Sequence, residues 1–124
     1  MSDAPLVLCA DDDGDILALV ALRLERAGYE VVTAGDGDAA LALARARVPS
    51  VAVLDVMMPR RTGLEVLAEL RTDPVFVSLK VILLSARVQE ADMERGIDAG
   101  ADAYFPKPFK ASELVDAVQA LLNP

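Results

Sequence analysis

Four groups of residues in this chain have side chains suited to chemistry: Asp11-Asp12-Asp13, Asp55, Ser85 and Lys107-Pro108. Asp11, Asp12 and Asp55 together with Lys107 carry a net charge of −2. Such a cluster repels itself unless it is protonated or neutralised, and one Mg²⁺ would cancel it. Oxygen-only ligation with open positions suits Mg²⁺, whose shell is usually completed by waters and a phosphate. A carboxylate beside a hard cation, a hydroxyl and a lysine in turn suits phosphoryl transfer. The cation and lysine neutralise charge on the transferring oxygens, and the hydroxyl donates a hydrogen bond to one of them. An aspartate can itself accept the group as an acyl phosphate. On this reading Asp55 is the nucleophile, and Asp11 and Asp12 hold the metal.

Composition narrows the field in the same direction. The 124 residues fit one domain, taken as 1–124, with enough apolar side chains to build a core. With 20 acidic and 12 basic residues the formal charge is −8, which argues against binding nucleic acid or an anionic membrane. The absence of histidine removes Ser-His-Asp catalysis and His-ligated zinc. The single cysteine, Cys9, cannot form an internal disulfide, and mid-strand it reads as a small core side chain. No signal peptide or membrane span is legible, so the expected compartment is the cytoplasm.

Those groups need elements to bring them together. Short β-prone apolar runs over residues 6–10, 30–34, 51–54, 80–84 and 103–105 predict five strands, the first continuous and so buried on both faces. Between them lie helix-patterned segments over 16–27, from Asp36 or Asp38 to about 47, 63–71, 90–99 and 112–122. Gly28, Pro49, Asp73-Pro74 and Gly100 supply the stops. Five β-then-α units predict an α/β fold with a parallel sheet and helices on both faces. Two strand orders are common for such sheets, and both place ligands beyond the carboxyl ends of the strands. Each of the four groups follows a predicted strand, so all would meet at one edge.

Asp11-Asp12-Asp13-Gly14-Asp15 superficially suggests a calcium loop, but positions six and twelve are Ile16 and Leu22 where an EF-hand needs Gly and Glu. Asp13 or Asp15 can cap the first helix. Asp36-Gly37-Asp38 reads as a turn and cap, and Met57, Met58 and Phe105 read as packing residues.

The chain resembles the receiver domain of bacterial two-component response regulators over essentially its whole length. The resemblance is carried by Val7-Leu8-Cys9-Ala10-Asp11-Asp12-Asp13, Leu54-Asp55-Val56-Met57-Met58-Pro59 with Gly63, Leu84-Ser85-Ala86, Gly100-Ala101-Asp102-Ala103-Tyr104 and Lys107-Pro108-Phe109. The spacings, 43 residues from Asp12 to Asp55, 30 on to Ser85 and 22 on to Lys107, are typical of that family. The resemblance implies a flavodoxin-like (βα)5 doubly wound fold with strand order 2-1-3-4-5. It implies phosphorylation of Asp55 by a histidine kinase or histidine phosphotransfer protein. Asp12, Asp55 and the backbone carbonyl of Met57 would ligate Mg²⁺ (or Mn²⁺), with Asp11 acting through water. Ser85 and Lys107 would contact phosphoryl oxygens, Lys107-Pro108 would be cis, and Tyr104 would turn with Ser85 to alter the surface around the fourth helix, fifth strand and fifth helix. That surface would then bind a downstream effector.

Several positions depart from the family pattern. Arg60-Arg61-Thr62 stands where a Gly and an acidic residue often occur, and the arginines are expected to attract an anionic donor or contact a partner. Met57 and Arg87 hold the positions that gate the attacking water, and slow self-dephosphorylation is expected. Residues 112–122 include Glu113 and Asp116 but neither Lys nor Arg, which argues against the salt-bridged dimer of winged-helix relatives and for a monomer or weak dimer. The chain, ending in Leu121-Leu122-Asn123-Pro124, fits a stand-alone regulator or the receiver of a longer regulator or hybrid kinase. Two other readings remain: a phosphohydrolase with an Asp nucleophile, in which Met57 occupies the usual place of the general acid, and a degenerate receiver that binds partners without phosphorylation.

Overall fold

The computed structural model describes residues 4–86 and 90–123. Strands and helices alternate: β1 (Leu6–Ala10), α1 (Gly14–Arg26), β2 (Glu30–Ala34), α2 (Gly37–Arg47), β3 (Val51–Asp55), α3 (Gly63–Arg71), a short 3-10 turn (Pro74–Phe76), β4 (Lys80–Ser85), α4 (Glu90–Asp98), β5 (Ala103–Pro106) and α5 (Ala111–Leu122). All four strand pairings are parallel and the order is β2-β1-β3-β4-β5. This is the flavodoxin-like fold expected from the resemblance.

The continuous apolar strands make sense once both faces are covered. Alternate residues point to opposite sides of the sheet. Val7 and Cys9 of β1, Val51 and Val53 of β3, and Ile82 and Leu84 of β4 pack with Val20 and Leu24 of α1 and Leu114 and Val118 of α5. Their neighbours Leu8, Ala10, Ala52, Leu54, Val81 and Leu83 pack on the other face with Leu41 of α2 and Val66, Leu67 and Leu70 of α3. Burial pushes the Cys9 thiol up to about 12, so it stays a protonated core side chain.

Element ends differ from the predicted ones in an orderly way. The first helix starts at Gly14, two residues before the apolar stripe, because Asp13 caps it by accepting from Asp15 N at 3.0 Å and Ile16 N at 3.3 Å. At α2 the cap is Asp36, which accepts from Ala39 N at 2.8 Å, while Asp38 lies inside the first turn. Helix α3 begins with a full capping box between Thr62 and Glu65. Strands β3 and β4 run one residue further than expected, so that Asp55 and Ser85 are their last residues. Gly28 and Gly100 take the left-handed conformation, with φ of +100° and +109°, as expected of helix stops.

Candidate functional site

The carboxyl ends of β1, β3, β4 and β5 bring the four groups to one edge. The run Asp11-Asp12-Asp13 divides three ways. Asp11 is 2% exposed and its backbone N–H donates to Ala34 O across to β2. Its Oδ1 accepts from Asp13 N at 2.9 Å, which leaves Oδ2 turned toward the sheet edge. Asp12 is exposed, and Asp13 is occupied with capping α1.

Asp55 is buried at the end of β3, and its Oδ1 accepts from Met57 N at 3.3 Å. The loop after it closes tightly: Val56 N donates to Leu84 O at 2.8 Å and Gly63 N donates to Val56 O at 3.0 Å. A side chain at Gly63 would collide with the Asp55 carbonyl, so glycine there lets α3 start directly behind the carboxylate. Lys107 arrives from the other side. Its backbone N–H donates to Ser85 O at 2.7 Å, and its peptide bond to Pro108 is cis. Its Nζ lies 2.9 Å from Asp11 Oδ2 and 3.3 Å from Asp55 Oδ2. Ser85 is fully buried, opposite Pro106 in the register.

The electrostatics follow from one cation shared by two buried carboxylates. Burial, together with the Asp11 charge, pushes Asp55 up to about 6, although the Lys107 ammonium and the Met57 N–H work the other way. Burial alone would lower Lys107, but its contacts to Asp11 and Asp55 outweigh this and raise it. Oxygens of Asp11, Asp12 and Asp55 lie within 4.8 Å of one another, the one such cluster among the described residues. Asp11 Oδ2 is buried, and its ion pair with Lys107 is not matched by a hydrogen bond. An oxygen-only donor set around an incompletely satisfied carboxylate fits a hard divalent cation.

Tyr104 lies in β5 beside Leu83, half-buried against the α2–α3 face of the core. Other expectations are corrected by the geometry. Met58 is a packing residue at 7% exposure, but Met57 is 52% exposed and stands at the rim of the site. Arg61 already has acidic partners: its guanidinium contacts Asp38 at 2.7 Å and Glu69 at 3.1 Å, tying the loop after β3 to α2 and α3. Arg60 is more open, 3.7 Å from Asp36, and holds φ of +70°, in the left-handed region that favours glycine. Arg87 lies outside the described residues.

Comparison with known proteins agrees with this geometry. The family model described as "response regulator receiver domain" matches residues 7–119. This chain belongs to that family. The PhoP alkaline phosphatase synthesis transcriptional regulatory protein of Bacillus subtilis is 40% identical over 117 residues, 94% of this chain and 48% of PhoP. The transcriptional regulatory protein PrrA of Mycobacterium tuberculosis is 44% identical over 120 residues, 97% of this chain and 51% of PrrA. This chain therefore spans about half the length of these curated relatives. Among solved structures, the Francisella response regulator 1452 receiver domain is 36% identical with a TM-score of 0.89, covering 94% of this chain and 95% of that one. Chemotaxis response regulator CheY4 of Vibrio cholerae is 32% identical with a TM-score of 0.90, covering 95% and 98%. Receiver domains of this family are signalling domains that bind Mg²⁺ at an acidic pocket and interact with histidine kinases and downstream effectors.

Two structural residues had no sequence signal. Arg71, at the end of α3, reaches backbone carbonyls up to 29 residues away, and Gly96 of α4 packs against the Tyr104 ring. Neither belongs to a motif, because the partners are backbone atoms and a ring face rather than residue types at a set spacing.

Proposed function

We propose that this receiver domain is a phosphorylation-dependent switch in which Asp55 accepts a phosphoryl group from the phosphohistidine of a histidine kinase or histidine phosphotransfer protein. In the transfer an Asp55 carboxylate oxygen forms a bond to phosphorus as the phosphorus–nitrogen bond breaks. The imidazole keeps that electron pair and then takes a proton. This domain has no histidine of its own, so the phosphohistidine lies outside it.

The observation that carries this reading is the arrangement of Lys107 between Asp11 and Asp55, 2.9 Å and 3.3 Å away, with Asp12 completing an oxygen cluster beside it. Asp12, Asp55 and the Met57 carbonyl would hold Mg²⁺ or Mn²⁺ directly, with Asp11 contributing through water. When bound, the cation neutralises charge on the transferring oxygens. Lys107 exchanges its contact with Asp55 for one with a phosphoryl oxygen, which keeps an ammonium at the site of new charge. Ser85, at the neighbouring strand end, donates its hydroxyl proton to another phosphoryl oxygen. Movement of Ser85 toward the phosphate draws Tyr104 with it and changes the surface of α4, β5 and α5, which then binds a downstream effector protein or domain.

The net charge of −8 makes nucleic acid and anionic membrane poor partners for this domain. Among the described residues, no helix is long and apolar enough to cross a membrane. A cytoplasmic monomer or weak dimer fits this reading, since α5 lacks the basic residues that would pair two copies.

Incubation with a small-molecule phosphodonor and Mg²⁺, followed by intact mass measurement, tests the proposal. One added phosphoryl group, absent in Asp55→Asn, supports the switch. Sustained release of phosphate at enzymatic rates would instead indicate a phosphohydrolase, and no labelling a degenerate binding module.

A further inference from the structure

Helix α4 touches Tyr104 at a glycine. A Cβ at Gly96 would lie 2.9 Å from Cδ2 and 3.3 Å from Cε2 of the Tyr104 ring, and 3.0 Å from Leu83 Cδ1. Any larger residue would displace the ring or lift the helix. Glycine is the poorest helix former after proline, so its place in α4 has a packing reason rather than a helical one. Gly96 is buried, on the side of the helix that meets β4 and β5.

One turn further on, α4 is fastened. Ala101 N donates to Gly96 O at 3.2 Å and Gly100 N to Ile97 O at 3.0 Å, with Gly100 in the left-handed conformation: a complete Schellman ending. The Gly100 carbonyl accepts from Arg71 Nε at 3.1 Å and Nη2 at 2.8 Å. The same guanidinium donates to Leu79 O at 2.8 Å, Phe76 O at 3.3 Å and Asp102 Oδ2 at 3.2 Å, and that Asp102 oxygen also accepts from Val81 N at 2.8 Å. The carboxyl end of α4 is thus bound to α3, the 3-10 turn and the start of β4. A helix held at one end and resting on a ring one turn away can tilt about the held end but cannot easily slide.

We propose that Gly96 is the seat that couples the Tyr104 ring to α4. With the ring seated, α4 keeps its present angle; when the ring leaves, α4 tilts into the vacated space about the end clasped by Arg71. Gly96 is a positioning residue of the switch, acting through Tyr104. The seat rests on contacts within this chain, whereas its trigger rests on the phosphorylation of Asp55 proposed above.

The chain contains two tyrosines, so 3-fluorotyrosine labelling gives two ¹⁹F resonances, with Tyr104 assigned by Tyr104→Phe. In unphosphorylated Gly96→Ala the Tyr104 resonance is expected to move in the direction that a phosphodonor with Mg²⁺ moves it in the natural chain. The further shift on phosphorylation shrinks, and Tyr29 stays in place. A Tyr104 resonance unmoved by Gly96→Ala, with the full phosphorylation shift retained, overturns the proposal. Urea melts supply a second readout that needs no phosphorylation. Gly96→Ala is expected to destabilise the chain when Tyr104 is present and to cost clearly less in a Tyr104→Ala background, where the Leu83 contact remains but the ring is gone. An effect of the same sign and size in both backgrounds overturns the seat. If the natural chain gains no phosphoryl mass, the reading of Asp55 fails, and the melts still decide the seat by themselves.

Discussion

Asp55→Asn is expected to stabilise the metal-free chain at neutral pH, although it deletes a charged partner of Lys107. Burial and the Asp11 charge push Asp55 from 3.8 up to about 6, so the ionised carboxylate is less favourable in the folded chain than in the unfolded one. At about 1.4 kcal/mol per pH unit, that rise corresponds to about 3 kcal/mol. The exposed Asp12 opens the rim of the site to water, and screening there brings the expected gain to about 1–2 kcal/mol. Because the folded chain binds this proton more tightly than the unfolded chain, the destabilisation is absent below about pH 3.8. It grows as the pH rises toward 6 and is complete above that. Asparagine does not titrate, so the gain of the variant should vanish near pH 4 and reach full size at pH 7. Urea unfolding in EDTA across that range, followed by circular dichroism, measures it, and a gain of about 1 kcal/mol corresponds to about 4–6 °C in Tm for a domain of this size. Saturating Mg²⁺ should narrow the difference, since a cation bound among the carboxylates favours the natural chain. An Asn variant no more stable than the natural chain at pH 7, or a gain that does not change with pH, would refute the electrostatic account.

Three further perturbations probe separate parts of the molecule. Lys107→Met leaves Asp11 and Asp55 without their shared cation and should cost about 1–2 kcal/mol in metal-free buffer at neutral pH, with Mg²⁺ recovering part of it in the same melts. Arg71→Met strands the carbonyls of Gly100 and Leu79 and should lower stability by about 2–3 kcal/mol, with hydrogen exchange rising first over α4 and the start of β5. Arg60→Gly relieves a left-handed backbone at a non-glycine residue, and thermal melts should show a gain of up to about 1 kcal/mol.

Much of this molecule was legible in the sequence because its strands are buried on both faces. The runs that became β1, β3 and β4 are continuous and apolar, which marks a covered parallel sheet, and in such a sheet the residues after each strand must converge. The convergence of Asp11, Asp55, Ser85 and Lys107 therefore follows from the strand pattern. Strand order was not legible from periodicity and came from the family resemblance. The start of α1 was missed because Asp13 caps the helix ahead of its apolar stripe, where Gly14 carries no helical signal. The ion pairs of Arg61 were not legible for a different reason. Local sequence makes Arg60-Arg61 look like free charge beside the site, but the partners of Arg61, Asp38 and Glu69, lie on two other helices. Exposure divided the methionines in a way their shared chemistry did not: Met58 turns into the core and Met57 toward solvent.

The central claim is that Asp55, among 20 acidic residues, forms the acyl phosphate. An acyl phosphate is reduced by borohydride to an alcohol, so treatment after incubation with a phosphodonor and Mg²⁺ converts the phosphorylated aspartate to homoserine, which peptide mass mapping locates. Homoserine at position 55 alone, lost when Mg²⁺ is withheld, is the expected result. Homoserine at Asp11, Asp12 or any other carboxylate, or none at all under conditions in which a known receiver domain is labelled, would contradict the account.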